Sequence, residues 1–262
     1  METVAGEWIM KGCRRSDPEC LHSPDDLLAL VRKVGFLPLF SNGIPGFSVE
    51  EHTPPADWWT GSSLDPWDWR QLLAPHPDIA YGKFFDRKAG FVSREWFPCF
   101  ANYRRDGYDW EGMYEDGRMT SRCRRILDVL ALDENAAGRA MLSGDLRKQT
   151  ALEKGFEGAL TDLQMKTFLI MGSFRRRRNR LGEEYGWHVA EMMTPETKWS
   201  YDDVNAVSEK PAESWDRITE QVRKHFPGAS GPEIRIIAVA PKPAGVAIAQ
   251  IVFIVTARSL NY

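Results

Sequence analysis

Residues 166 to 180 carry the strongest chemical signal in the sequence, a run of cations with no acid among them. The six positive side chains are Lys166, Arg175, Arg176, Arg177, Arg178 and Arg180. The whole chain has 34 lysines and arginines against 37 acidic residues, so affinity for a polyanion must come from such local clustering. The run predicts either a surface that contacts nucleic-acid phosphates or a solvated hairpin that Glu183 and Glu184 partly neutralise.

Four further arginines lie in a short stretch before this run, namely Arg118, Arg122, Arg124 and Arg125. We expect Arg122 and Arg125, near the start of a helix, to extend the phosphate-binding surface. The acidic residues Glu115 and Asp116 directly precede the stretch and offer an alternative, in which these arginines form ordinary surface ion pairs. The sequence leaves both alternatives open.

The sequence lacks the motifs of the common catalytic and metal-binding sites. The sequence contains no GxSxG, Walker loop, GxGxxG or HExxH motif, and its five histidines are scattered. Cys13, Cys20 and His22 lie close together, but no second ligand pair follows at the spacing of a zinc site. We therefore predict no bound metal and no other cofactor.

The cysteine content and the apolar stretches bear on the cellular compartment. Four cysteines in 262 residues, without an apolar leader, are typical of a reduced cytoplasmic protein and not of a disulfide scaffold. The apolar stretch from Ala244 to Ala257 is shorter than the roughly 20 residues that a membrane-spanning helix needs. We therefore predict a cytoplasmic protein that does not enter a membrane and has a buried or unusual terminal segment.

Ten tryptophans are a further unusual feature. Exposed indole rings stack on extruded bases in nucleic-acid-binding proteins, whereas buried rings fill cores and the contacts between domains. We expect most of these tryptophans to serve the second purpose.

The elements that position these residues begin after a leader, residues 1 to 23. Ser23-Pro24-Asp25-Asp26 combines an N-cap, a proline and first-turn acids, which predicts a helix that ends near Gly35. Asp65-Pro66 begins a second helix, and two short apolar strands around residues 79 to 93 then form a hairpin. This order predicts a first winged-helix-like unit over residues 24 to 117.

Residues 118 to 200 show a clearer pattern. The periodicities predict three helices, at residues 122–132, directly after residue 143 and at residues 156–166. Two strands are predicted to follow, at residues 167–174 and 185–193. This is the order of a winged helix-turn-helix, with the third helix as the recognition helix and the basic hairpin as the wing. Strand alternation sends Arg175 and Arg177 to one side of the wing and Arg176 and Arg178 to the other.

Residues 201 to 262 form the remaining segment, and the charge reverses at its start. One lysine against five acids leaves a net charge of −4 across residues 200 to 216, which is unsuited to phosphate contact. An amphipathic helix is predicted from Ala212 to Phe226, followed by the apolar tail. The predicted fold class is therefore α+β, with tandem winged helix-turn-helix-like units and a helical C-terminal segment.

Several short strings, spread over roughly residues 24 to 235, resemble the AlkZ-related family of bacterial proteins. They are Trp59-Thr60-Gly61, Asp65-Pro66-Trp67-Asp68-Trp69-Arg70, Ala80-Tyr81-Gly82-Lys83-Phe84-Phe85, Lys88-Ala89-Gly90-Phe91, Trp96-Phe97-Pro98, Arg104-Arg105-Asp106-Gly107-Tyr108-Asp109, Thr161-Asp162-Leu163-Gln164-Met165 and Tyr185-Gly186-Trp187. The resemblance implies a distant relation to DNA glycosylases of the AlkZ and YcaQ type. Those enzymes are built from tandem winged helices, and they excise alkylated bases or open interstrand crosslinks.

The resemblance also implies a catalytic residue. The related glycosylases use a Gln-apolar-Gln or Gln-x-Asp motif whose polar side chains position the attacking water, and Gln164 in Leu163-Gln164-Met165-Lys166 is the matching position. Lys166 stands where the second polar group is expected, and an ammonium group cannot accept a hydrogen bond. Gln164 therefore either positions water or packs at the end of a helix.

Three functions from different classes follow from these observations. The first is a DNA-repair-related protein that binds duplex DNA through its basic wing, without catalysis. The second is an active DNA glycosylase that excises alkylated bases. The third is a protein-interaction scaffold, indicated by the acidic segment near Asp202 and the apolar tail.

Overall fold

The computed structural model describes residues 2–4, 7–131 and 140–238 of the chain. The strands are β1 (Glu2–Val4), β2 (Glu7–Ile9), β3 (Phe36–Pro38), β4 (Ile79–Phe85), β5 (Lys88–Ser93), β6 (Met141–Leu142), β7 (Ile170–Arg178) and β8 (Glu184–Met193). The helices are α1 (Pro24–Val34), α2 (Pro66–Leu73), α3 (Phe97–Arg105), α4 (Trp110–Glu115), α5 (Ser121–Ala131), α6 (Ser143–Thr150), α7 (Phe156–Met165), α8 (Pro195–Lys198), α9 (Tyr201–Val204), α10 (Pro211–His225) and α11 (Gly231–Ala238). The predicted α+β class is confirmed.

Local capping chemistry sets the helix ends that the sequence predicts. The hydroxyl of Ser23 accepts a hydrogen bond of 3.1 Å from the backbone amide of Asp26, and Gly35 ends α1 with a φ of +91°. Asp65 caps α2 by accepting a bond from the amide of Trp67. Each cap satisfies backbone groups that the helix itself leaves without partners.

Six strands form one antiparallel sheet in the order β3-β5-β4-β7-β8-β6. Both predicted hairpins are present, and Tyr81 of β4 pairs with Met171 of β7, which joins them edge to edge. The second hairpin is longer than its sequence pattern predicts, because β7 continues to Arg178 instead of ending at Phe174. The four consecutive arginines, residues 175 to 178, are therefore part of a strand and not of a loop.

Two hydrophobic clusters cover this sheet. The first is built mainly from α1, β3, β4, β5 and α3, and the second mainly from α5, α6 and α7. Helix α10 packs in the first cluster, where the rings of Tyr103 and Trp215 lie 4.9 Å apart and Asn102 donates to the hydroxyl of Ser214. The predicted C-terminal helix thus completes the core formed by the N-terminal half.

The C-terminal part of the chain is described as far as Ala238. The predicted apolar tail beyond that residue lies outside the described residues. Within the described ranges, every helix is too short or too polar to cross a bilayer.

Candidate nucleic-acid interface

The β7–β8 hairpin extends beyond the body of the protein as a ribbon. Every residue from Arg175 to His188 is exposed, whereas Ile170 and Met192, at the base of the same strands, are buried. The term wing ribbon is used below for residues 175 to 188.

The arginines of the wing ribbon differ in their partners. Within the described residues, no ion pair involves Arg176, Arg177 or Arg180, whereas Arg178 lies 3.4 Å from Glu184. Glu183 accepts from the side chain of Asn179 and does not pair with an arginine. Of the two acids predicted to neutralise the ribbon, only Glu184 therefore pairs with an arginine. This pair is exposed to solvent, so it contributes little to stability.

Arg175 is the exception among these arginines, because it is held at the base of the wing ribbon. Its guanidinium group pairs with Glu191, a buried carboxylate that also accepts from the hydroxyl of Ser173. Arg177 lies on the side of the ribbon that faces α6, with its Nη2 atom beside Gly144. Three guanidinium groups, those of Arg176, Arg177 and Arg180, are thus left for an external anion.

A register break interrupts the wing ribbon opposite Arg176. Arg175 pairs with Val189 and Arg177 pairs with Tyr185, so Arg176 faces three residues of β8 instead of one. Gly186 begins this bulge with a φ of +74°, a conformation that residues with a side chain rarely adopt. The bulge carries Trp187, whose side chain is 91% exposed.

Lys166, predicted to contact phosphate, lies inside the protein. Its side chain is 7% exposed, and its ammonium group donates a hydrogen bond of 2.7 Å to the carbonyl oxygen of Arg118. Burial lowers the pKa of this lysine, and the nearby charge of Arg118 acts in the same direction. The ammonium group fixes the turn before α5 and is not accessible to a phosphate in this conformation.

Helix α7, predicted as the recognition helix, is buried on almost every side. Its one exposed residue is Glu157, and its two acids pair with arginines of other elements, Asp162 with Arg87 and Glu157 with Arg147. A helix enclosed in this way cannot enter a DNA groove. The prediction of a recognition helix is therefore wrong, and its physical reason is that β4 and α5 pack against α7.

Gln164 lies in the same buried helix and is 1% exposed. Its Oε1 atom accepts from the backbone amide of Lys83 at 3.0 Å, and its Nε2 atom donates to the carbonyl oxygen of Leu160 at 3.0 Å. Both ends of the amide are thus occupied by the backbone. This geometry makes Gln164 a link between α7 and β4.

The four arginines between residues 118 and 125 divide into two that form ion pairs and two that do not. Arg118 pairs with Asp106 and Arg124 pairs with Asp128, which are not the acids that the sequence suggested. Arg122 and Arg125 are exposed on α5, and no ion pair of either occurs within the described ranges. The two arginines predicted to extend the phosphate-binding surface are therefore available for it.

The cysteines and histidines do not assemble a metal site in the described residues, where no group of three or more potential ligands lies together. Cys13 and Cys20 are close enough for their thiols to interact. Burial, together with this neighbouring thiol, raises the pKa of Cys13 to about 12. The Cys13 thiol therefore stays protonated at neutral pH and is a poor ligand and nucleophile.

Sequence reasoning missed two features near the wing ribbon. At its base, the guanidinium group of Arg70 lies 3.7 Å from the ring of Trp67 and 4.6 Å from the ring of Phe174, which ties α2 to β7. At its middle, Trp187 was counted among ten tryptophans without distinction. The glycine that precedes it in a strand pattern was the available signal, since such a glycine often marks a bulge.

Comparison with known proteins identifies a matching family and a similar solved structure. A family model described as AlkZ related matches residues 21–238. No curated protein matches. The solved structure of the Streptomyces sahachiroi DNA glycosylase AlkZ is similar at 10% sequence identity with a TM-score of 0.44, over 84% of this chain and 59% of that chain. This chain therefore spans less than two thirds of the length of that glycosylase.

Proposed function

We propose, because this chain belongs to the AlkZ-related family, that it binds duplex DNA in a repair-related role and does so through the wing ribbon. The observation that carries the proposal is the exposure of Arg176, Arg177 and Arg180 without acidic partners in the described residues. Guanidinium groups that have no internal partner are free to bond phosphate oxygens in two-pronged geometry. Near-neutral total charge makes this local cluster the source of the affinity.

The shape of the wing ribbon favours a groove over a flat anionic surface. Its arginines lie on both sides of a two-stranded hairpin, and only an object that surrounds the hairpin can use both sides. The walls of a narrow DNA groove are lined with phosphates and attract arginine. Because helix α7 is buried, the proposed contact is made by the wing and by Arg122 and Arg125 of α5, without a recognition helix.

The proposal includes two winged-helix-like units, at residues 24 to 117 and 118 to 200. The order α5, β6, α6, α7, β7, β8, with β6 paired to β8, supports the second unit. The existence of two hydrophobic clusters supports the division. Family membership gives the general expectation of DNA repair, and the ribbon gives the means of contact.

Base excision is a separate prediction, and the surroundings of Gln164 do not favour it. Its amide is bonded at both ends to the backbone, and the second polar position holds Lys166, whose ammonium group is directed to Arg118. We therefore propose DNA binding without assigning catalysis to Gln164.

The scaffold alternative has less support, because several acids of the reversed-charge segment, residues 200 to 216, have partners within the chain. Asp203 pairs with Arg94, Glu209 pairs with Arg217, and Glu213 accepts from the amide of Lys210. The pair of Asp203 with Arg94 fastens α9 to the body of the protein, and the other two contacts lie within the C-terminal segment. They leave less negative charge for a protein partner than the sequence suggested.

A salt titration with a labelled duplex of about 20 base pairs tests the proposal by fluorescence anisotropy. The double variant Arg176→Ala/Arg177→Ala should weaken binding at every sequence, and the slope of log affinity against log salt should fall by about 2, because each phosphate contact contributes about 0.9. Arg223→Ala/Lys224→Ala, at the exposed end of α10, removes the same charge elsewhere and should leave the slope unchanged.

Two results would reject the proposal. One is no binding by the unchanged protein at low salt, and the other is an equal effect of both double variants.

Running the same titration with an alkylated duplex, followed by a chemical assay for abasic sites, decides the glycosylase alternative. Abasic sites formed by the unchanged protein would establish excision, and their absence under saturating binding would exclude it.

A further inference from the structure

Trp187 occupies an unusual position for a large apolar side chain. Its indole is 91% exposed, and Tyr185, on the same strand, is 50% exposed. No aromatic or cation–π partner of Trp187 occurs in the part of the chain that the structure describes. Trp69, by contrast, is 1% exposed, and Trp59, which is 52% exposed, lies against the ring of Trp58. The position of Trp187 thus has no explanation in the packing of the fold.

The backbone holds this indole on the outside of the wing ribbon. Gly186 supplies the positive φ that a bulge of this type needs, and three residues of β8 bulge opposite Arg176. Bulges re-aim side chains that a regular ladder would place over a neighbouring strand. The bulge therefore holds the indole of Trp187 exposed to solvent.

The charges around the indole indicate the chemistry of that ligand. Arg176 lies opposite the bulge, Arg177 follows it in the strand, and Arg180 lies at the tip of the same ribbon. An apolar protein surface would have to desolvate these guanidinium groups without compensation. A nucleotide matches both the indole and the arginines, because its base can stack on the indole ring and its phosphate oxygens can accept hydrogen bonds from the guanidinium groups.

We infer that Trp187 stacks on an unpaired base, so that the wing ribbon binds DNA containing an unstacked nucleotide more tightly than regular duplex. The inference rests on the proposed function, since the arginines must first hold the backbone. In regular duplex each base is already stacked on two neighbours, and the indole must displace one of them. At an unpaired nucleotide this cost is small, which is the source of the preference.

Two probes test the inference by fluorescence anisotropy, a duplex of about 20 base pairs and the same duplex with one extra, unpaired 2-aminopurine. The unchanged protein should bind the second probe about tenfold more tightly, a difference of about 1.4 kcal/mol. Trp187→Ala should abolish this preference, so that the two probes bind with equal affinity. Trp187→Phe should keep part of the preference, because its ring still stacks.

The fluorescence of 2-aminopurine supplies a second readout, since stacking quenches it. Binding of the unchanged protein should quench the signal, and binding of Trp187→Ala should not. Tyr201→Ala is the matched control, because it removes an aromatic side chain that is 65% exposed on α9, away from the ribbon. This variant should retain both the preference and the quenching.

The outcomes separate the inference from the proposed function. Equal binding of both probes by the unchanged protein, or a preference that survives in Trp187→Ala, overturns the inference and leaves the proposed function standing. An equal loss of affinity for both probes in Trp187→Ala also overturns it, because the indole would then only support the ribbon. No binding of either probe overturns the inference and the proposed function together.

Discussion

The backbone amide of Lys83 and the side-chain oxygen of Gln164 are joined by a hydrogen bond of 3.0 Å, although the two residues lie 81 positions apart. The bond connects β4 of the first hydrophobic cluster with α7 of the second. The nitrogen of the same side chain donates to Leu160 within α7. One buried amide thus holds the two halves of the protein in register.

Replacing this amide should therefore destabilise the fold. Gln164→Ala leaves the buried amide of Lys83 without an acceptor, and we expect the free energy of unfolding to fall by about 1–3 kcal/mol. Urea denaturation followed by circular dichroism measures the change. Gln149→Ala, at an exposed position of α6, is the matched control and should cost less than about 0.5 kcal/mol. An unchanged stability of Gln164→Ala would contradict the bridging role.

Lys166 should contribute to stability and not to DNA binding. Lys166→Ala removes the hydrogen bond to the carbonyl oxygen of Arg118 and leaves a gap, so we expect a lower melting temperature. The slope of log affinity against log salt should stay the same, because the ammonium group is not exposed. Lys154→Ala, at an exposed position, should leave the melting temperature unchanged. A smaller salt slope in Lys166→Ala would show that this lysine reaches phosphate after all.

Removing the charge of Glu191 should strengthen DNA binding. Glu191→Gln weakens the pair with Arg175, so that a fourth guanidinium group of the wing ribbon becomes available. We expect affinity for duplex to rise by about threefold and the salt slope to rise by up to about 0.9. Glu183→Gln removes an equal charge that pairs with no arginine, and its effect should be smaller. Equal effects of the two variants would mean that only total charge matters.

His225 should make stability depend on pH in the acidic range. Burial, and then the charges of Lys224 and Lys33, lower the pKa of His225 below its ordinary value of about 6.5. The unfolded chain then takes up a proton before the folded protein does, so the free energy of unfolding falls as pH drops below about 6.5. Urea denaturation between pH 7 and pH 5 measures this loss.

Two variants connect that loss to His225. His225→Gln cannot be protonated and should flatten the dependence, and Lys224→Met should reduce it because one repelling charge is removed. A dependence that is the same in all three proteins would assign the effect to other groups.

Local signals in the sequence predicted much of the fold. The capping residues Ser23 and Asp65 gave correct helix starts, and the apolar runs around the 86–87 turn gave the first hairpin. Helix α10 lies within one residue of its predicted bounds. These features depend on hydrogen bonds and steric preferences of neighbouring residues, which a sequence displays directly.

Features that depend on what packs against an element were not predicted. Leu160 and Leu163 are buried on one side of α7, and the helix is also covered on its other sides by β4 and α5. The apolar residues present around most of its circumference were an available signal of such burial. The joining of two hairpins into one sheet has no local signature, because it depends on strands that are far apart in the chain.

The sequence by itself determined which side chains could bind a polyanion, since the five arginines of an acid-free segment are charged in any surroundings. Only the tertiary structure decided which cations remain accessible. Lys166 is turned inward to the carbonyl oxygen of Arg118 and Arg175 is held by Glu191, while Arg176, Arg177 and Arg180 remain exposed. The physical reason is that charge is a property of the residue, whereas accessibility depends on neighbours that folding brings from distant parts of the chain.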